Sequence, residues 1–292
     1  MLSKANEHRS FRVDNMTVST RWNRVSRRPL DDVLGELRSA HTLAFDHHGD
    51  GVVVMMVNRP DRGNSQTIEM FGEIAWATGL LRNAPLRALV VTGAGGKTFC
   101  TGFDLDEVEV IAKLSVSDFT DLVETAAAGS TGLRTLPYPV IAAVGGPAAG
   151  GGLSLALAAD LRVTDQTSSF SAGFVRIGLS IGELGTSWNL TRLIGSGRAA
   201  EMAYTGRTVH AAEAHRIGLA DRLAEKTALE AALELAETIA GNSDHSMRST
   251  KNAFVRSLEN NSFRSALEME NRGQALAVHV DETREMLTNL AQ

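Results

Sequence analysis

The sequence predicts an α/β fold followed by a mostly helical C-terminal region. Short strand-like runs alternate with helical periodicity through the first two thirds of the chain, glycine-rich loops follow several of these runs, and the pattern after residue 199 is helical. The 292 residues are enough to bury one large core or two modest ones. We expect three parts: a basic extension over 1–40, an α/β core with the site over 41–200, and helices over 201–292.

The first half of the core begins with a predicted hairpin. Residues 43–45 and 52–57 are apolar strand candidates, joined by the turn residues Gly49, Asp50 and Gly51. A loop over 58–64 leads to the next elements. These are a helix over 67–81, a buried strand over 86–92, a loop over 93–103 and a helix around 117–135 that ends at the proline-containing segment 136–139.

The second half of the core is built around glycine-rich loops. An apolar strand over 140–144 runs into the glycines of 145–152 and then into a helix over 153–159. Strand candidates at 161–164 and 169–174 precede a second stretch punctuated by glycines. The remaining predicted elements are all helices, at 187–193, 199–205, 211–217, 228–240 and 247–258, with a last one reaching the C-terminus.

Composition excludes several classes of protein. With 43% hydrophobic and 22% charged residues the chain is an ordinary folded protein, and a net charge of -5 gives no overall attraction to nucleic acid or anionic membrane. The single cysteine, Cys100, excludes an internal disulfide and a cysteine-based zinc site. No run approaches the roughly 20 apolar residues of a membrane span. We therefore expect a cytoplasmic protein with neither nucleic acid nor a membrane span.

The first 40 residues differ in charge from the rest of the chain. They carry eight Lys or Arg and five acidic residues, which leaves the remainder strongly acidic. They contain no apolar stretch of the kind that a secretory signal needs. Three interpretations remain open: an extension that is disordered or wraps around another subunit, an early start with Met16 as the alternative, or a targeting segment.

Common catalytic and nucleotide-binding motifs are absent. A phosphate-binding loop ending at Lys97-Thr98 would need glycine where Val91 stands, and dinucleotide fingerprints fail at Thr98 and Leu155. No serine lies in a G-x-S-x-G turn. His47 and His48 are neighbours on a predicted strand and point to opposite faces, so they do not form a metal site.

Two glycine-containing loops remain, at 99–105 and 147–153. Glycine permits dihedrals and close approaches that expose main-chain N–H groups. Gly151 also begins a predicted helix, where N–H groups are unpaired and the helix dipole favours negative charge. Two such donors on one oxygen would form an oxyanion hole. Tight turns alone would explain the same glycines. The spacing of the glycines therefore does not decide between an oxyanion hole and two tight turns.

These loops resemble those of the enoyl-CoA hydratase/isomerase (crotonase) superfamily. Its pattern F-C-A-G-A-D-L is similar to residues 99–105, and its pattern P-V-I-A-A-V-N-G-x-A-x-G-G-G is similar to residues 139–152. Asn58-Arg59-Pro60 and Asn64 match its early N-R-P…N-A-L. The later helices of the family are matched by 195–201, 205–207 and 211–219, so that the resemblance covers roughly residues 43–253.

The resemblance implies a ClpP/crotonase-like spiral of repeated β-β-α units with a C-terminal helical trimerisation region. It implies a homotrimer or a dimer of trimers, an acyl-CoA thioester as substrate, and no cofactor other than the coenzyme A of that substrate. The family's oxyanion donors fall on the N–H groups of Phe103 and Gly151, and the bulky Phe103 side chain would shape the acyl pocket. The expected substrate- or CoA-binding residues are Arg62, Ser65, Gly102, Asp104, Leu105, Gly150, Phe174 and Lys251.

The chain departs from the family pattern at the two glutamates of the hydratases. Ser154 and Phe174 occupy those places, and neither is a proton acceptor at neutral pH. The segment that begins at Gly178 resembles G-L-x-P-D-x-G-G-T-W of the isomerases, and with one inserted residue it places Glu183 on the catalytic acid. We expect Glu183 to be the acid/base; its alternative is an ordinary acid at a helix N-terminus.

The expected activity is proton transfer next to a thioester carbonyl, most simply the isomerisation of an enoyl-CoA double bond. Hydration stays possible with one carboxylate and an ordered water. A hydrolase or decarboxylase of the same fold is the second enzymatic alternative. A non-catalytic acyl-CoA-binding protein is the alternative from a different class.

Overall fold

The computed structural model describes residues 28–259 and 261–290. Its strands are β1 (Leu43–Gly49), β2 (Val52–Val57), β3 (Ala88–Gly93), β4 (Val140–Val144), β5 (Pro147–Ala149), β6 (Leu161–Thr164), β7 (Ser169–Ser171), β8 (Thr208–His210) and β9 (Arg222–Leu223). Its α-helices are α1 (Leu30–Leu37), α2 (Ile68–Leu81), α3 (Val108–Ile111), α4 (Val116–Arg134), α5 (Gly151–Ala158), α6 (Thr186–Ile194), α7 (Ser196–Thr205), α8 (Ala211–Ile217), α9 (Ala228–Ala240), α10 (Asp244–Glu259), α11 (Phe263–Ala277) and α12 (Asp281–Leu290).

Six strands form the main sheet in the order β1-β2-β3-β4-β6-β9. β1 and β2 pair antiparallel as the predicted hairpin, and every other neighbouring pair is parallel. All five residues of β4 are buried, as a strand covered on both faces requires. One face of the sheet packs on α9 through Ala232 and Ala236. The other face packs with α1, α2 and α5 into the larger core.

A second, three-stranded sheet in the order β5-β7-β8 stands at the end of the main sheet. β5 follows β4 after two residues and leads directly into α5, so the second glycine-rich loop of the sequence lies between the two sheets. Isolated bridges connect Cys100 to Ala148 and Gln66 to Phe103. These two bridges align three chain segments side by side, and the candidate site lies among them.

Several boundaries differ from the sequence-based prediction. Residues beyond 199 are not all helical, because β8 and β9 complete the two sheets; strands of two or three residues are too short to show a period. Strand β7 ends at Ser171, and Phe174 lies in a 3-10 turn. Helix α2 begins one residue later than predicted because Thr67 is its N-cap and accepts a hydrogen bond from Met70 N–H.

The three predicted parts do not match the packing of the described residues. Residues 1–27 of the predicted extension lie outside the described part. Helix α1, in the same predicted extension, buries Val33 and Leu37 in the main core. Helix α9 belongs to the predicted C-terminal region and nevertheless covers the main sheet. By contrast, α11 and α12 have no buried residue. The part of the chain that packs into the α/β core therefore extends well beyond residue 200.

The close packing of the loop before α5 gives the first testable prediction. A methyl group on Gly152 would lie 2.0 Å from the carbonyl oxygen of Cys100, so Gly152→Ala should force the two loops apart and lower the free energy of unfolding by about 3 kcal/mol. Gly79→Ala in α2 is the matched control, since no atom lies within 4 Å of the added methyl group. It should stabilise the protein by about 0.5–1 kcal/mol. Urea unfolding measures both, and a wild-type midpoint for Gly152→Ala would contradict the packing.

Candidate active site

Two unpaired main-chain N–H groups define the candidate site. Gly102 and Gly150 have φ values of 95° and 52°, which L side chains rarely adopt, and each directly precedes one of the expected donors, Phe103 and Gly151. Within the described residues, neither the Phe103 N–H nor the Gly151 N–H donates to a protein acceptor. Buried N–H groups are nearly always paired, so two such groups on adjacent loops indicate a place for an external acceptor.

Backbone pairing explains why the Phe103 N–H points towards the second loop. Gln66 N–H donates to Gly102 O at 2.7 Å, and Asp104 N–H donates to Gln66 O at 2.8 Å. Because polar groups of successive residues in an extended segment face opposite edges, the Phe103 N–H faces away from Gln66. On that opposite edge, Ala149 N–H donates to Cys100 O at 3.0 Å. The segment 100–104 is therefore held between two others.

The two donor loops are in direct contact. A methyl group on Gly102 would lie 2.8 Å from Ala149 O and 3.3 Å from Gly151 N. Gly151 is the first residue of α5, a helix whose eight residues are all buried. Its N–H has no acceptor inside the helix, and the helix dipole adds positive potential at this end. The geometry can stabilise a negative oxygen between residues 103 and 151.

Asp104 fixes the first donor loop from behind. Its carboxylate accepts hydrogen bonds from Arg59 at 2.6 Å, from the Ser65 hydroxyl at 3.0 Å and from Asp106 N–H at 3.0 Å. Burial alone raises the pKa of this carboxyl, but the hydrogen bonds from Asp106 N–H, Arg59 and Ser65 together lower it to about 2. Asp104 and Ser65 thus hold the loop in place, and the structure shows them bound to each other.

Ser154 lies three residues after Gly151 in α5 and is fully buried. Its hydroxyl is 2.5 Å from the Thr186 hydroxyl and also donates to Gly150 O at 3.3 Å. Thr186 begins α6, and its N–H donates to the carbonyl oxygen of Glu183 at 2.8 Å. This chain of hydrogen bonds attaches the segment of Glu183 to the helix that carries the second donor.

Glu183 is half-buried, and its carboxylate has no hydrogen bond or ion pair within the described residues. Burial raises the pKa of its carboxyl above the ordinary value of 4.5. The turn that follows is strained, because Leu184 has a φ of 48° and Gly185 a φ of 77°. An unpaired carboxyl with a raised pKa on a strained turn is typical of an acid/base group.

Apolar side chains surround the donor loops. Phe103 stacks on Phe71 with ring centroids 6.1 Å apart, and a methyl group on Gly150 would lie 3.9 Å from the Phe174 ring. Leu105 follows the first loop and is 75% exposed, so it is free to contact a ligand. These positions suit walls for an acyl group. Cys100 is fully buried, and its burial raises the pKa of the thiol to about 12, so it stays protonated.

Lys251 and Arg62 are engaged with other protein groups. Lys251 is buried, and its ammonium group donates to Tyr138 O at 3.0 Å and to Asp160 at 2.7 Å, so its charge is paired within the protein. Burial lowers the pKa of its ammonium, and Asp160 opposes that shift. Arg62 is half-exposed and pairs with Asp104 and Asp106, so a phosphate would compete with these carboxylates.

Sequence reasoning missed Arg59, Gln66 and Thr186. Arg59 was a motif residue without a role, and its pairing with Asp104 spans 45 positions that no local pattern reveals. Gln66 is buried, and its side-chain oxygen has no hydrogen-bond partner among the described residues. The signal in the sequence is that glutamine stands at the place of the leucine in the N-A-L pattern.

One group of potential metal ligands lies in the described part of the chain. Donor atoms of His41, Glu69 and Glu73 lie within 4.8 Å of one another at the surface. Glu73 already accepts hydrogen bonds from His41 N–H and from Thr42, which explains its position without an ion. None of the described helices combines the length and apolar character needed to cross a membrane.

Comparisons with known proteins identify the family to which the chain belongs. The family described as enoyl-CoA hydratase/isomerase matches residues 47–291. A Mycobacterium bovis protein named as a probable enoyl-CoA hydratase, echA12, is 34% identical over 83% of this chain and 87% of its own length. The 1,2-epoxyphenylacetyl-CoA isomerase of Escherichia coli is 33% identical over 80% of this chain and 89% of its own. A Thermobifida fusca YX structure with acetoacetyl-CoA is 28% identical with a TM-score of 0.75, covering 84% of this chain and 98% of its own.

The buried lysine gives a prediction that separates a structural from a ligand-binding role. Lys251→Met should lower the free energy of unfolding by about 2 kcal/mol, because it leaves the Asp160 carboxylate without its cation. The affinity for acetoacetyl-CoA, measured by calorimetry, should be unchanged. Lys226→Met, which removes an exposed pair with Glu234, should cost at most about 0.5 kcal/mol. If the Lys251→Met protein were as stable as the wild type but bound acetoacetyl-CoA more weakly, that result would support a direct contact between Lys251 and CoA.

Proposed function

Because the chain belongs to the enoyl-CoA hydratase/isomerase (crotonase) family, we propose that it binds an acyl-CoA thioester and stabilises its enolate between Phe103 N–H and Gly151 N–H. The observation that carries this proposal is the pair of unpaired N–H groups on contacting loops. A thioester carbonyl gains negative charge as the adjacent carbon loses its proton. Each preorganised donor of this kind typically contributes about 2.7–4 kcal/mol in the transition state.

Glu183 is the proposed proton carrier. Its ionised carboxylate takes a proton from C-2 of a 3-enoyl-CoA, the electron pair delocalises onto the thioester oxygen, and the same carboxyl returns a proton to C-4. The product is a 2-enoyl-CoA, and no other reactant is consumed. The raised pKa supports this role, because a carboxyl whose pKa is closer to neutral accepts and returns a proton more readily.

Hydration is the second candidate for the same hole, favoured by relatives named as hydratases. Two carboxylates would normally hold and activate the water. Here the Ser154 and Thr186 hydroxyls bond to each other at the place of one of them, and Phe174 occupies the other. This arrangement favours chemistry that needs one carboxylate, so isomerisation stays first. Hydrolysis, decarboxylation and binding without turnover remain outcomes of a substrate screen.

Helices α11 and α12 support a proposed homotrimer or dimer of trimers. They bury no residue within the described chain and expose Phe263, Leu276 and Leu290. Exposed large apolar side chains on helices that bury no residue of their own favour packing against another copy. The proposed location is the cytoplasm, which suits a chain with one buried cysteine.

Glu183→Gln tests the proton carrier. The amide cannot accept a proton, so turnover of 3-enoyl-CoA to 2-enoyl-CoA should fall by about 10²–10⁴-fold, measured by the ultraviolet absorbance of the conjugated 2-enoyl thioester, because the two isomers have the same mass. The variant should unfold at the same or a higher temperature at neutral pH, because the raised pKa of Glu183 means that its buried charge opposes folding there. Glu225→Gln, at an exposed position, is the matched control. Full activity of Glu183→Gln towards both 2-enoyl- and 3-enoyl-CoA would remove Glu183 from the mechanism.

The pH dependence of kcat/KM provides an independent check. Glu183 must be ionised to take a proton, so activity should be present at neutral pH and be lost as the pH falls through its raised pKa, above the ordinary value of 4.5. The pH at which kcat/KM falls to half should shift when the burial of Glu183 is reduced, as expected for Ile181→Ser on the same turn. A limb with its midpoint at or below 4.5, or one that persists unchanged in the residual activity of Glu183→Gln, would contradict the assignment.

A further inference from the structure

Gln66 carries a side-chain amide that the fold leaves without partners. The residue is 2% exposed, its Oε1 is buried without a hydrogen bond, and no hydrogen bond of its Nε2 occurs within the described residues. Its backbone groups, by contrast, are both paired with the first donor loop. A buried polar group without a partner costs about 1–3 kcal/mol, so this amide calls for an explanation.

The amide lies beside the proposed oxyanion hole. A methyl group on Gly151 would lie 2.0 Å from Gln66 Oε1 and 3.2 Å from its amide carbon, so the end of the side chain contacts the second donor residue. The Gln66 backbone pairs with Gly102 and Asp104 on the far side of the first loop. The side chain therefore extends from the far side of the first loop to the second donor residue, Gly151.

The family pattern N-A-L has leucine where this chain has Gln66. A leucine there would fill the space without a polar atom, whereas the amide brings a donor and an acceptor into a buried position. An acceptor oxygen beside a developing oxyanion would repel it. The other end of the same amide, Nε2, is a donor, and it makes no hydrogen bond within the described residues.

We propose that Gln66 supplies a third hydrogen-bond donor to the thioester oxyanion, through Nε2–H, beside the N–H groups of Phe103 and Gly151. The assignment rests on the proposed acyl-CoA function. The amide turns its Nε2 towards the oxygen as negative charge develops, and the bound ligand provides the partner that the fold lacks. A donor aimed at the oxyanion acts on the enolate far more than on the neutral thioester.

Acetoacetyl-CoA is a suitable probe, because it exists as keto and enolate forms that differ in ultraviolet absorbance and it requires no turnover. Bound to the wild-type protein, its apparent pKa should be lowered by the donors. Gln66→Met removes the amide at nearly constant volume and should lower the enolate-to-keto ratio of the bound ligand about tenfold, a rise of one unit in that pKa. Gln66→Glu should lower the ratio further, since a carboxylate repels the enolate.

Two controls keep the result interpretable. Gln166→Met changes an exposed glutamine and should leave the ratio unchanged. Thermal unfolding of Gln66→Met should occur at or above the wild-type temperature, because an apolar side chain replaces an unpaired amide. A wild-type or higher enolate ratio in a folded, ligand-binding Gln66→Met protein would overturn the third donor and leave the acyl-CoA function intact. Failure of the wild-type protein to bind acetoacetyl-CoA would overturn both.

Discussion

The site depends on the main-chain pairing that holds residues 100–104 between two other segments. On one edge, Gln66 pairs with Gly102 and Asp104; on the other, Cys100 pairs with Pro147 and Ala149. Beyond these pairs, the Phe103 N–H lies on the second edge and has no partner among the described residues. The N–H of the first residue of α5 is unpaired for a different reason, which is that a helix has no acceptor for it. We place the proposed oxyanion hole between these two unpaired N–H groups.

Charged groups keep that segment in register. Asp104 is held by Arg59 and Ser65, which precede α2, so the loop is tied to the segment that its backbone already pairs with. The hydrogen bonds that lower the pKa of Asp104 to about 2 also link folding to pH. A carboxyl with a depressed pKa adds stability above its unfolded value of about 3.9, and that contribution is lost as the pH falls towards 2. At neutral pH the loop therefore has its full electrostatic support.

The sequence predicts much of this fold because its core elements are local. The hairpin, the buried strand β4 and helices α2, α5, α8 and α9 follow from apolar runs, periodicity and turn residues. The short strands β8 and β9 escape prediction because only pairing with distant strands makes them strands. The prediction of an oxyanion hole at Gly102 and Gly150, as opposed to a pair of tight turns, rests on the family resemblance and not on spacing.

Side-chain roles were harder to predict than backbone positions. The resemblance marked the places of Phe103 and Gly151 because main-chain donors depend on the path of the chain. Lys251 illustrates the opposite case: the resemblance leads us to expect a CoA contact there, and no local pattern predicts that the tertiary structure buries its ammonium group against Asp160. Whether a charged side chain faces a ligand or a neighbour is decided by distant packing. The position of the Gln66 amide beside Gly151 also depends on distant packing, so the sequence does not predict it.

The unsatisfied groups form a pattern that folding alone does not explain. Among the residues that the structure describes, the N–H groups of Phe103 and Gly151, the Gln66 amide and the Glu183 carboxyl all lack protein partners. Each buried polar group of this kind destabilises the folded chain, typically by about 1–3 kcal/mol when fully buried. The Gln66 amide and the loop of Phe103 both contact Gly151, and Glu183 is attached to the same helix through Thr186 and Ser154. A ligand that accepts hydrogen bonds on one side and exchanges a proton on the other would satisfy all four together. A thioester that forms an enolate has those properties, so the pattern of unpaired groups and the family of the chain lead to the same chemistry.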